Sequence, residues 1–234
     1  MTKNNLINKF KKFFNILFID RIFSNTKNCR LKIICIGRNY SDHARELGNQ
    51  VPSEPVVFLK PQSAILSHKH PFYIPEWTQE VHHEVELVVK IDRLGKTISE
   101  AHAPRYYSEV SLGLDLTARD VQARLKAKGH PWERAKAFDG SAVIGQFMAL
   151  EQLGKDVQDL SFTLTNHGNV LQEGQTKDML FSVNRLIAEV SKFMTLKVGD
   201  LLFTGTPAGV AAVQSGDRLV GSLEGHDLFA VNVK

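Results

Sequence analysis

HHEVELVVKI, residues 82–91, decides how this chain is read. A strand alternates its side chains between two faces. Val85, Leu87 and Val89 then share one face, and Glu84, Glu86 and Val88 share the other. Two carboxylates side by side repel unless solvent, basic residues or a metal ion neutralise them. In the solvent case the strand lies at a sheet surface and its glutamates face water, as most glutamates do. The rest of the chain has to decide between these.

The chain has 234 residues, enough for one large domain with a core of its own. Hydrophobic residues make up 43% and charged residues 23%, ordinary for a globular protein. Its pI is about 9.0, but the charge is unevenly placed. Residues 1–32 hold eight Lys and Arg against one acid, Asp20, and so carry +7, whereas the whole chain carries +4; residues 33–234 therefore carry −3. A mildly acidic body does not read as a nucleic-acid surface. The two cysteines, Cys29 and Cys35, match neither a metal-finger spacing nor a disulfide framework, and their scarcity fits a reducing, cytoplasmic setting. No apolar run reaches the length of a membrane span.

Residues 1–31 read as a basic extension ahead of a domain at 32–234. The patch FFNILFI is broken by asparagine and has no small-residue cleavage site, unlike a signal peptide. The readings open to the extension are a loosely docked arm, an amphipathic helix touching anionic lipid, and a targeting segment.

From residue 32 the pattern is that of a compact mixed domain. LKIICIG and VVFLK read as short strands. NYSDHARELG reads as a helix with Asn39 or Ser41 as N-cap and Gly48 as stop. The spacing predicts helices in ISEAHAPRYYSEV, in TARDVQARLKAKG with Val121 and Leu125 on one face, and in SVNRLIAEVSKFM with Leu186, Val190 and Phe193 or Met194 inward. SFTLTNHGNVLQEG is a hairpin signal, and the C-terminal third supplies further strands. Strands dominate and helices are few, which points to an α+β domain around a rolled sheet.

Several common active-site signatures are absent: G-x-S-x-G, H-E-x-x-H, a P-loop and strand–G-x-G-x-x-G–helix. Asp115, in SLGLDLTARD, is a carboxylate among leucines and needs a partner. It either completes a three-carboxylate cluster with Glu84 and Glu86, or pairs with Arg119 beyond the turn. Such a hard-oxygen cluster without cysteine favours Mg²⁺ or Mn²⁺. His43 and Glu46, three apart on a helix, are either an oriented base or an exposed pair. TGTPAGV, residues 204–210, is either an anion-holding turn or a plain one. Lys136 has no motif value by itself.

GRNYSDHAREL, PVVFLKP, HHEVELVV, GLDLTARDVQ, GHPWERAKAFDG and LLFTGTPAGV, in this order and spacing, resemble the fumarylacetoacetate hydrolase family. The likeness covers residues 32–234 and lies nearest the small single-domain branch of acylpyruvate hydrolases and oxaloacetate-handling enzymes. It implies an α+β mixed β-roll with a few peripheral helices, a homodimer, and one Mg²⁺ or Mn²⁺ per subunit. It assigns Glu84, Glu86 and Asp115 as metal ligands. It places a catalytic His43–Glu46 pair on a lid helix, with Lys136 and Gln122 also catalytic. Arg38 and the turn residues Thr204, Gly205 and Thr206 would hold the substrate. Ala137 stands where the family has serine, and GSAVIGQ lacks the prolines common there; both bear on substrate fit near Lys136.

The expected substrate is a 2-oxo acid. Because both members of the His–Glu pair are present, hydrolysis of acylpyruvates such as fumarylpyruvate ranks first. Decarboxylation or keto–enol tautomerisation of oxaloacetate at the same metal is the alternative. A reading of another class is a non-catalytic dimer that binds metal or oxo acid.

Overall fold

A computed structural model describes residues 31–41, 52–67 and 70–234. Residues 1–30, His43, Glu46 and most of the helix expected over NYSDHARELG lie outside the described residues.

The strands are β1 (Ile33–Gly37), β2 (Val56–Lys60), β3 (Val81–His83), β4 (Val85–Ile91), β5 (Tyr107–Asp115), β6 (Thr117–Ala118), β7 (Ala142–Ile144) and β8 (Met148–Ala149). They continue as β9 (Ser161–Asn166), β10 (Asn169–Gln175), β11 (Leu201–Phe203), β12 (Ala211–Ala212), β13 (Arg218–Leu223) and β14 (His226–Asn232). The helices are α1 (Arg119–Ala127), α2 (Glu133–Lys136), α3 (Leu150–Leu153) and α4 (Val183–Phe193). A seven-stranded sheet runs β2-β1-β11-β4-β5-β7, with β8 also on β5. A four-stranded sheet runs β10-β9-β13-β14, and a three-stranded one β12-β3-β6. The large sheet is mixed, since β1 lies parallel to β11 while β4 is antiparallel to both β11 and β5. This is the expected α+β class.

HHEVELVVKI is two strands rather than one. β3 pairs with β12 and β6, β4 pairs with β11 and β5, and Glu84 is the residue between. The chain changes sheets there, and the break is braced by neighbours. The Gln172 side-chain oxygen accepts from the Val85 N–H at 3.1 Å and lies 2.8 Å from His83 Nδ1. The Glu84 carbonyl accepts from the Asp115 N–H at 2.9 Å. Alternation then holds along β4. Val85, Leu87 and Val89 enter the main core with Leu112, Leu164 and Leu186, and Val88 enters a second cluster with Ile33, Cys35 and Phe203. Both faces are therefore covered, and the water-facing reading of the glutamates fails.

The hairpin forms where expected: β9 and β10 turn through His167 and Gly168, both at positive φ, as a two-residue turn of this hand requires. Helix α4 is capped by Ser182, whose hydroxyl accepts from the Arg185 N–H at 3.2 Å. It packs with Leu186 and Val190 buried and Met194 against the core, while Phe193 is 58% exposed. The helix expected in ISEAHAPRYYSEV is a 3₁₀ segment, Glu100–Tyr106, and Tyr107 already begins β5. Pro104 removes a donor there, and Tyr107 is claimed by the ladder opposite Ile91. Among the described residues no helix is long and apolar enough to cross a membrane.

Candidate metal centre and its pocket

Glu84, Glu86 and Asp115 converge from the sheet break and from the ends of β4 and β5. One carboxylate oxygen from each lies within 4.8 Å of the others, and all three residues are buried. Asp115 does not pair with Arg119. Its Oδ1 is 2.7 Å from Lys60 Nζ and its Oδ2 accepts from Lys136 Nζ at 2.7 Å. Lys136 also donates to Glu84 Oε2 at 2.6 Å, and Arg119 binds the other Glu84 oxygen. Lys60 is tied down by the Lys136 carbonyl and by Ser141, whose hydroxyl is 3.0 Å away.

Glu86 is treated differently. Its Oε2 accepts from the Gly205 N–H at 2.8 Å, and among the described residues no cation pairs with it. Burial raises its pKa well above the ordinary carboxylate range, and Asp115 and Glu84 add repulsion. A further cation is what would keep it ionised. Three hard oxygen donors, one of them lacking its own countercharge, fit a divalent ion such as Mg²⁺ or Mn²⁺. Cys35 lies buried nearby and is no rival ligand, because burial pushes its thiol far up.

Lys136 is fully enclosed. Burial pulls its pKa down, but Asp115 and Glu84 more than offset this and hold it at about 12. It therefore stays an ammonium ion at neutral pH.

The pocket over this floor is lined by Arg38, Arg119, Gln122, Lys136 and Thr206 among others. Thr206 is oriented through Gln172, whose Nε2 donates to the Thr206 hydroxyl at 2.9 Å and to the Pro207 carbonyl at 3.0 Å. The Thr206 proton is thereby left for another acceptor. Of the other turn residues, Thr204 gives its hydroxyl to the Leu87 carbonyl at 2.9 Å and Gly205 gives its N–H to Glu86. Gly205 sits at φ +98, and a Cβ there would approach the Asn39 Cβ to 2.7 Å. Asn39 is not a helix cap. Its amide clasps the Phe181 and Thr204 carbonyls at 3.0 and 2.8 Å and accepts from the Phe181 N–H, fastening the turn to β1.

The structure thus brings together Arg38, Glu84, Glu86, Asp115, Gln122, Lys136 and Thr206. His43 and Glu46 lie outside the described residues. Sequence reasoning missed Lys60 and Gln172. Lys60 had a signal: period two from Phe58, a pocket residue, carries Lys60 to the same side of β2.

A family profile described as "Fumarylacetoacetate (FAA) hydrolase C-terminal" matches residues 32–232. The chain belongs to the fumarylacetoacetate hydrolase family, a family of enzymes. It is 43% identical over 197 residues to oxaloacetate tautomerase YcgM of Escherichia coli (strain K12), covering 84% of this chain and 90% of that protein. It is also 43% identical over 193 residues to the mitochondrial oxaloacetate tautomerase FAHD1 of Bos taurus, covering 82% of this chain and 87% of that one. Among solved structures it is similar to fumarylpyruvate hydrolase from Pseudomonas aeruginosa in complex with Mn²⁺ and pyruvate. That match has a TM-score of 0.80 and 36% identity, and covers 86% of this chain and 88% of the other.

Proposed function

We propose that this protein is a divalent-metal-dependent oxaloacetate keto–enol tautomerase. The observation that carries the metal chemistry is Glu86, a buried carboxylate with no cation of its own among the described residues, beside two carboxylates already held by lysines and an arginine. The choice of reaction is supported by the two oxaloacetate tautomerases, which resemble this chain more closely in sequence than the solved fumarylpyruvate hydrolase does. This reverses the order expected from sequence, where acylpyruvate hydrolysis came first.

Glu84, Glu86 and Asp115 would hold Mg²⁺ or Mn²⁺, which when bound supplies Lewis-acid polarisation of a 2-oxo group. Tautomerisation moves a proton between C3 and the 2-oxo oxygen, with negative charge developing on that oxygen. Lys136, whose Nζ donates to Glu84 and Asp115 at the floor of the site, answers that charge as a donor. Thr206, its oxygen engaged by Gln172, turns its proton toward the substrate carboxylate. Gln122 accepts from Arg119 through its carbonyl at 2.7 Å, leaving its NH₂ as a second donor. The proton-moving base assigned from the sequence is His43, steadied by Glu46. Hydrolysis would ask that same pair to activate water, and hydrolysis of acylpyruvates remains the second reading, supported by the P. aeruginosa enzyme. Association as a homodimer is part of the proposal.

The test offers oxaloacetate and acetylpyruvate separately to protein with Mg²⁺ or Mn²⁺ and to metal-stripped protein. Loss of enol absorbance is followed beside coupled pyruvate release. Metal-dependent enol loss from oxaloacetate without pyruvate is expected. Pyruvate from acetylpyruvate would move the assignment to hydrolysis, and pyruvate from oxaloacetate to decarboxylation.

A further inference from the structure

Helix α1 presents Arg119, Gln122 and Lys126 to the pocket at positions i, i+3 and i+7, hence on one face. The three heads differ in what already binds them. Arg119 is engaged by Glu84 and Gln122, and the Gln122 carbonyl is engaged by Arg119. Lys126, four residues or about 6 Å along the helix beyond Gln122, has no carboxylate partner among the described residues. Its ammonium rests over the Trp132 ring, 5.2 Å from the centroid. Lys136 stands in the same relation to Phe58, also 5.2 Å from the centroid. The two rings are 6.0 Å apart and tilted by 60°. One aromatic wall therefore carries two ammonium groups, one bound to the carboxylate floor and one unpaired, a turn further out.

Among the described residues, positive charge outweighs negative around Lys126. Burial first, then Arg119, Arg38 and Lys136, lower its pKa to about 8, with Glu84 opposing. A half-buried, unpaired cation among other cations attracts an anion.

We propose that Lys126 receives the second carboxylate of the substrate and makes this pocket selective for dicarboxylic 2-oxo acids over monocarboxylic ones. The inference rests on the 2-oxo acid reading above. Oxaloacetate presents one carboxylate and its 2-oxo oxygen at the carboxylate floor and carries a second carboxylate at the far end of its four-carbon chain. Pyruvate has no second carboxylate, and acetylpyruvate ends in a methyl ketone, so neither offers Lys126 a charge.

The test uses the full chain with Mn²⁺, comparing wild type, Lys126→Met and Lys126→Arg. Methionine keeps the stem against Trp132 and removes the charge; arginine keeps the charge. Expected for Lys126→Met is a rise of at least about tenfold in KM for oxaloacetate, with most of the loss in KM rather than kcat. Pyruvate affinity, read by calorimetry, stays within about twofold, and Lys126→Arg recovers most of the oxaloacetate affinity. An unchanged KM in Lys126→Met, or an equal weakening of pyruvate and oxaloacetate, overturns the proposal. Failure of the tautomerase reading shows separately, as wild type that leaves oxaloacetate enol untouched. In that event the calorimetric contrast between pyruvate and 3,3-difluorooxaloacetate, which has no C3 proton to lose, still decides for or against Lys126.

Discussion

Strands β4 and β13 show two ways for a strand to carry polar residues. Along β13 the pattern alternates, with Leu219, Gly221 and Leu223 buried and Arg218, Val220 and Ser222 turned outward. Along β4 every residue but Lys90 is buried, Glu86 included. A polar group on β13 has water for a partner. On β4 each charge has to be answered from within the protein: Glu86 takes the Gly205 N–H and Lys90 takes Glu109, while Lys60, Lys136 and Arg119 hold the neighbouring carboxylates of Asp115 and Glu84. A polar side chain is thus nearly neutral to stability on one strand and decisive on the other.

The sharpest way to break this comparison is Asp115→Asn. It leaves Lys60 and Lys136, both buried, without their shared counterion. Removing one partner of a buried pair costs about 3–5 kcal/mol. Urea denaturation of the metal-free protein should show a loss of that order, together with loss of tight Mn²⁺ binding. A variant within about 1 kcal/mol of wild type would mean the cluster is hydrated rather than dry.

Gln172→Leu should come next. It takes an acceptor from the Val85 N–H and His83 Nδ1 and a donor from Thr206. An unsatisfied buried group costs about 1–3 kcal/mol. Thermal unfolding should register that loss, and KM for oxaloacetate should rise because Thr206 is no longer aimed. A stability loss without any KM change would confine Gln172 to bracing the strand break. Ser222→Ala removes a hydroxyl 2.6 Å from Asp227 on the wet face, and equilibrium unfolding should move by less than about 0.5 kcal/mol. A larger shift there would erase the contrast between the two strands.

A last test follows a single proton. Burial, Arg119, Arg38 and Lys136 hold Lys126 at about 8 in the folded protein, against 10.5 for the free side chain. Between those values the unfolded chain binds more protons, so stability contributed through this group rises with pH. Lys126→Met should be the more stable protein near pH 7, and its advantage should shrink from pH 8 to 10.5. A pH-independent difference between the two unfolding curves would show that Lys126 is not held down.

The sequence made the fold class readable because β4, the β9–β10 hairpin and α4 follow simple periodicities, and E-x-E marked the floor of the site. The strand break at Glu84 left no trace, since alternation reads the same on both sides of a change of sheet. The sequence places Asp115 in the cluster, with Arg119 as the alternative partner, but does not show its two lysine partners, for a related reason. Arg119 is close along the chain, whereas Lys60 and Lys136 reach Asp115 only after the strands have paired. Lys126 was hidden by attention to the apolar face of α1, Val121 and Leu125, when its polar face is the one that meets the pocket.

The backbone bond from the Asp115 N–H to the Glu84 carbonyl has a consequence for inheritance. It sets the spacing of two cluster residues by main chain, which substitutions at the rim leave alone. Lys126, a turn further out, can therefore be exchanged while the floor beneath it keeps its gauge.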